Sequence, residues 1–172
     1  MIPPPYTHQK ETSDFISATP NVFVTSSCGT GKTRSVLDAF AKTNEKMLVF
    51  APLSILKPAW GDDIDKFAPQ LSYSIAYSRN RAKAFSQNVD IVITNHDAIK
   101  WLKDNPNYIS NFSWLVIDES DAFKNKNSQR SKAMAKIAPH FKKRILMTGT
   151  PNGNTILDTW HQIYILDKGE RL

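Results

Sequence analysis

The stretch SSCGTGKT at residues 26–33 narrows the possible folds more than any other part of the chain. It follows the apolar run Asn21-Val22-Phe23-Val24 and precedes Val36, Leu37 and Phe40, which recur at helical spacing. Strand, glycine loop and helix in that order is an arrangement that can hold phosphate. Gly29 and Gly31 can take backbone angles closed to other residues and let the main chain approach an anion closely. Free amides and the positive end of a helix starting near Lys32 then favour negative charge. Ser27, Cys28, Gly29, Thr30 and Gly31 would form the cradle, Lys32 would reach the terminal phosphates, and the Thr33 hydroxyl would take a place on Mg²⁺. The plainer alternative is a glycine turn that merely enters a helix. The strict form of the loop has glycine at position 26, where this chain has Ser26, so it fits a looser variant with a small residue there. Cys28 reads as a small filler in the loop.

The rest of the chain alternates strands with helices. Short apolar runs predict strands at 22–25, 47–50, 72–77, 89–94, 114–117 and 144–148. Helical patterns fall at 32–41, 55–67, 80–85, 97–103, 128–137 and 156–166, the second of them interrupted by Pro58 and Gly61. Prolines at 3, 4 and 5 mark an extended start. Alternation of this kind argues for an α/β fold with a parallel sheet and helices on both faces. The strand runs are continuously apolar, as strands buried on both faces are. A chain of 172 residues is one domain of this class. Ligands in such folds sit at the carboxyl ends of the strands.

Two further motifs fall at those ends. Asp118-Glu119 follows the strand WLVI. An aspartate there can hold Mg²⁺ and a glutamate can orient and polarise an attacking water. Helix capping is the plainer role for such a pair. Thr148-Gly149-Thr150-Pro151 follows RILM and reads as a tight turn unless its place on the same sheet edge gives it work.

Other features exclude whole classes. One cysteine rules out an internal disulfide framework, which makes a reducing cytosol the default compartment. The four histidines show no metal-ligand spacing. No apolar run approaches membrane-spanning length, and MIPPPYTHQKE lacks the apolar stretch of a secretory signal. The formal charge of +6 permits a polyanionic partner. Residues 124–144 carry eight Lys or Arg and no Asp or Glu, either a solvated helix face or a surface turned towards nucleic acid.

Taken in order, SSCGTGKT, MLVFAPLSILKPAW, DIVITNHDAI, WLVIDESDAFKN and RILMTGTPNGN resemble the first RecA-like motor lobe of superfamily 2 helicases. APLSILKPAW, DESDAFKNKNSQ and TGTPNGN resemble the Swi/Snf-type branch in particular, the DNA-translocating ATPases. The resemblance runs from about Tyr6 to Leu172. It implies a P-loop NTPase lobe occupying residues 1–172, ATP and Mg²⁺ as ligands, and duplex DNA as partner. It implies that Gln9 reads adenine and that Lys32, Thr33, Asp118 and Glu119 serve phosphate, metal and water. Thr148, Gly149 and Thr150 would couple hydrolysis to lobe movement and DNA. Pro52, Leu53 and Ser54 (with Ile55) would touch the DNA backbone, helped by Lys57 and Lys124. Trp60 reads as core packing rather than base stacking.

The chain departs from that family's pattern twice. Asp121 stands where the branch usually has His, which unsettles the usual link between nucleotide and DNA sites. Such motors also need a second lobe, which supplies an arginine to the transferring phosphate, and none of Arg34, Arg79 or Arg144 has a matching context. The expected molecule is therefore half a motor, slow or inactive in hydrolysis alone, working in the cytoplasm without a membrane. The compactness of the lobe suggests a bacterial or phage source. Two alternatives stay open: a lobe of a strand-separating DNA or RNA helicase, and a non-catalytic half-motor that binds DNA or protein.

Overall fold

The computed structural model describes residues 1–25, 31–149, 161, 162, 164 and 165. Six strands are present: β1 Asn21–Val24, β2 Met47–Ala51, β3 Tyr73–Ala76, β4 Ile91–Asn95, β5 Trp114–Asp118 and β6 Lys143–Met147. They form one sheet in the order β1-β6-β5-β2-β4-β3, and each neighbouring pair is parallel. Each predicted strand is found, with ends shifted by a residue or two. The central strands β2 and β5 are buried at every position, whereas the edge strands β1 and β3 alternate between buried and half-buried. That is why MLVF and WLVI read as unbroken apolar runs.

Successive side chains of a strand point to opposite faces, so the sheet builds two cores. One face takes Met47, Val49 and Ala51 of β2 with Val116, Ile145 and Met147, and is covered by α1 Thr7–Ala18, α2 Lys32–Phe40 and α3 Asp62–Phe67 through Ile16, Val36, Leu37, Phe40 and Ile64. The other takes Leu48 and Phe50 with Leu115, Ile117 and Leu146. It is covered by α4 Arg81–Phe85, α5 Ala98–Asp104 and α6 Gln129–Ile137 through Phe85, Ile99, Leu102, Met134 and Ile137. Ser128 starts α6 by accepting from the Ser131 amide at 3.2 Å, the side-chain cap expected of serine at a helix start.

Two stretches differ from the pattern read in the sequence. The helix over 7–18 has no apolar periodicity to announce it, because its buried face is Gln9, Ser13 and Ile16. The predicted helix over 55–67 is three pieces: a 3₁₀ turn Leu53–Ile55, a π-helical turn Leu56–Gly61 and then α3. Pro58 has no amide to donate, and Gly61 packs where a Cβ would come within 2.7 Å of Lys57 Cδ and 3.5 Å of the Tyr73 ring. Of the predicted helix over 156–166, residues 161, 162, 164 and 165 are described and are helical.

Because the sheet is parallel, the ends of β1, β6, β5, β2 and β4 share one edge. Val24 is level with Met147, and Met147 with Asp118. Thr25 after β1, Thr148 after β6 and the acidic pair at the end of β5 are thereby neighbours.

Candidate functional site

Gly31 begins α2 with φ 74°, in the left-handed region that suits glycine. Space demands glycine there too, since a Cβ would lie 1.9 Å from Gln9 Nε2. Gln9 reaches that spot from α1, is buried, and accepts a hydrogen bond from the Tyr6 amide at 2.8 Å. Helix α1 therefore places the residue expected to read a base directly against the last glycine of the phosphate loop. Lys32 and Thr33 open α2 and are half-buried. Ser27, Cys28, Gly29 and Thr30 lie outside the described residues, as does Thr150.

The acidic pair is held from several sides. Asp118 is buried at the last position of β5. The indole N–H of Trp60 donates to its Oδ2 at 2.8 Å, and the Glu119 amide donates to Oδ1 at 2.9 Å. His96, just past β4, meets the Asp118 carbonyl through Nε2 at 2.8 Å. A carbonyl can only accept, so Nε2 carries the proton. Burial pushes the ionisation of His96 down, in keeping with a neutral donor ring. Its ring also stands edge-on to Phe123 at 5.3 Å.

Glu119 adopts φ 51° and ψ 56°. It is the one non-glycine residue with positive φ among the described residues, a conformation costing about 1 kcal/mol in an L-residue. Burial pushes its carboxyl above the usual carboxylate range; Asp118 and Asp121 push the same way, and Lys32 pulls back. Lys32 and Glu119 thus feel one another's charge across the edge. Asp121 sits on the 3₁₀ turn Ser120–Phe123, where it adds negative charge beside Glu119. Ser120 is fully buried and donates to Gln162 Oε1 at 2.6 Å, tying the acidic turn to the helical residues beyond the third motif.

Thr148 is fully buried, and its amide donates to the Val24 carbonyl at 3.0 Å, so the third motif starts against the strand that leads into the loop. Gly149 is half-buried beside it. Past β2, Pro52 is half-buried while Leu53 and Ser54 are exposed, Leu53 by 58%. Lys124 is exposed where the acidic turn ends, its amide on the Asp121 carbonyl. Lys57 is engaged within its own segment by Asp62 and, at 3.2 Å, Asp65, which raise its ionisation further. Arg34 is buried, paired with Asp38 at 3.0 Å and stacked over Phe67, and Arg144 holds the carbonyls of Phe141 and Ile165.

Asp118 and Thr33 are hard oxygen donors, the class that suits Mg²⁺, and the two hydrogen bonds on Asp118 leave a lone pair free on each oxygen. Among the described residues no three His, Cys, Asp or Glu side chains converge to hold a metal by themselves. Mg²⁺ commonly keeps waters and phosphate oxygens and needs one or two protein ligands, so the residues fit it. The roles of Trp60 and His96 escape sequence reading. The signal available was general: a buried indole N–H needs an acceptor, and Asp118 lies on the same sheet edge.

The SNF2-related domain family matches residues 10–169. A protein named p41 from Acyrthosiphon pisum secondary endosymbiont phage 1 is 30% identical over 160 residues, covering 84% of this chain and 35% of its own length. An uncharacterized ATP-dependent helicase of Mycoplasma pneumoniae is 32% identical over 142 residues, covering 77% of this chain and 13% of its own. The chain thus spans about a third or less of these relatives. Among solved structures, the Sulfolobus solfataricus SWI2/SNF2 ATPase core in complex with dsDNA superposes with TM-score 0.79 at 25% identity, over 98% of this chain and 38% of that one. The parallel six-stranded sheet is the RecA-like fold of that core. The chain belongs to the SNF2-related domain family, in the Snf2-type branch of superfamily 2 helicases.

Proposed function

We propose that this chain is the ATP-binding lobe of a motor that hydrolyses ATP to move along duplex DNA when joined to a second lobe. The observation that carries this is the edge itself. Val24, Met147 and Asp118 stand level on adjacent strands, and the charge of Lys32 is felt at Glu119. The strand end that leads into the glycine loop, the acidic pair and the start of the third motif therefore share one edge of the sheet. The duplex partner is carried over from the Sulfolobus relative, whose structure holds dsDNA.

In this reading Gln9 recognises adenine, the loop amides of residues 27–31 and Lys32 bind the phosphates, and Thr33 and Asp118 hold Mg²⁺. When bound, Mg²⁺ neutralises charge on the phosphate oxygens and fixes their orientation. Glu119 orients water in line with the terminal phosphate and accepts its proton. A carboxyl held above its usual range is a stronger base once ionised. Thr148, Gly149 and Thr150 relay the phosphate state towards DNA. Pro52, Leu53, Ser54 and Lys124 contact the duplex backbone without reading sequence. In such a motor the second lobe supplies an arginine to the transferring phosphate, which contributes about 10³-fold or more in rate. The setting is the cytoplasm of a bacterial or phage-infected cell. Among the described residues no helix is long and apolar enough to cross a membrane.

The experiment is Mg²⁺-dependent ATP turnover by the chain with and without duplex DNA, with and without an added second lobe, beside Lys32→Ala. The expected result is turnover near background for the single lobe and DNA-stimulated turnover with both, lost in Lys32→Ala. Turnover that ignores Lys32→Ala contradicts the reading.

A further inference from the structure

Trp60 is fully buried, yet its one polar atom is spent on Asp118. The chain leading to it starts at the surface. Leu53 and Ser54 are exposed at the sheet edge, and the 3₁₀ turn Leu53–Ile55 passes directly into the π-helical turn Leu56–Gly61 that carries the indole. π-helical turns are rare, and this one connects an exposed segment to a buried carboxylate. The turn is braced as one piece. Lys57 is bound to Asp62 and Asp65, the Tyr73 hydroxyl donates to Asp65 at 3.0 Å, and Gly61 fits closely over the Tyr73 ring. Residues 52–55 are therefore joined to the indole by one continuous helical segment, and the indole is hydrogen-bonded to the carboxylate.

A second tie converges on the same residue. His96, at the exit of β4, holds the Asp118 carbonyl at 2.8 Å. The segments leaving β2 and β4 thus grip Asp118 by its carboxylate and its backbone respectively. For contrast, Trp114 makes the same type of bond to Glu45 at 2.7 Å, but at the amino edge of the sheet, remote from this site.

We propose that Trp60 is a positioning residue for Asp118, and that its indole hydrogen bond couples duplex DNA on residues 52–55 to Mg²⁺-nucleotide held with the help of the same carboxylate. The inference rests on the reading of Asp118 as a metal-holding residue. Partners that orient a metal-binding side chain typically govern about 10- to 100-fold of metal affinity. Coupling of two sites through one element is reciprocal: DNA must alter Mg²⁺-nucleotide affinity by the factor by which Mg²⁺-nucleotide alters DNA affinity.

The test uses the 172-residue chain. Trp60 is replaced by 3-benzothienyl-alanine, which keeps the bicyclic shape and lacks the N–H, and separately by Phe; Trp114→Phe is the control. Three quantities are read: affinity for fluorescent ADP without metal, affinity for Mg²⁺ in the ADP complex, and the change in the latter on adding a short duplex. Both changes at Trp60 are expected to weaken Mg²⁺ about 10-fold, leave metal-free ADP affinity as it was, and abolish the effect of duplex. Trp114→Phe is expected to leave all three unchanged. In the unaltered chain, the Trp60 indole N–H resonance, identified by its loss in the isostere, should move when Mg²⁺ is added to the ADP complex. Mg²⁺ affinity and duplex response equal to those of Trp114→Phe, or an indole resonance that ignores Mg²⁺, overturns the proposal alone. Failure of the unaltered chain to bind nucleotide with Mg²⁺ at all overturns both this proposal and the function it rests on.

Discussion

The two edges of the sheet are built from similar residues for opposite purposes. At the amino edge, the charged side chains are engaged within the protein. Glu45 accepts from the Trp114 indole and pairs with Lys142. Burial alone would push its carboxyl up, but Lys142 and Trp114 outweigh that and hold it below the usual range. Lys143 caps the carbonyl of Thr19 at 2.9 Å, and Lys46 holds Asn88 and the Val89 carbonyl, both at 2.8 Å. At the carboxyl edge, Glu119 is pushed up by burial and by the negative charges of Asp118 and Asp121, and its backbone is in the left-handed region. One edge is finished by folding. The other carries strain and unbalanced charge that a cationic and phosphate-bearing ligand would relieve.

Five substitutions at four positions can break or sharpen that contrast. The largest effect belongs to Lys32→Ala, which should weaken Mg²⁺-nucleotide binding by about 100-fold while leaving the melting temperature nearly unchanged. Titration with a fluorescent nucleotide checks it. Next is Trp114→Phe, which removes the indole donor from Glu45, leaves it Lys142, and opens space at a buried position; it should cost about 2 kcal/mol in urea unfolding, with nucleotide affinity intact.

Glu119→Asn comes third, since asparagine accepts the left-handed conformation and carries no charge. It should stabilise the fold by about 1 kcal/mol at neutral pH while abolishing turnover of the two-lobe motor. Glu119→Gln isolates the charge. A carboxyl raised in the folded state stabilises the fold when protonated and loses that contribution as pH rises through the folded value. The gain from Gln should therefore appear at pH 7 and vanish below the ordinary glutamate range. Glu45→Gln is the smallest and has the reverse sign. A lowered carboxyl contributes above its unfolded value and loses that contribution as pH falls, so Gln there should cost under about 1 kcal/mol at pH 7 and nothing in acid. Equal signs at positions 45 and 119 would refute the division into two kinds of edge.

Much of the carboxyl edge was legible because its motifs are local. A glycine loop between strand and helix, and an acidic pair ending an apolar run, announce themselves within eight residues. The strands were legible because burial on both faces leaves no polar interruption, as in WLVI. Helix α1 was not, because it buries Gln9 and Ser13 beside a single large apolar residue, Ile16, and leaves Phe15 exposed. The break of residues 53–67 into three helical types depends on how Gly61 meets Tyr73, a contact between elements. Trp60 reads correctly as core, being fully buried, but its bond to Asp118 spans 58 residues of sequence and no local pattern encodes it. His96 likewise looks like any residue after a strand until β4 and β5 are brought to flank β2 in the sheet.

The most direct measurement is equilibrium binding of fluorescent ADP to the 172-residue chain, with and without Mg²⁺, beside Lys32→Ala. Saturable binding that Mg²⁺ strengthens and Lys32→Ala removes is the result the account predicts. No binding, or binding indifferent to both Mg²⁺ and Lys32, would contradict the claim that the carboxyl edge is a nucleotide site.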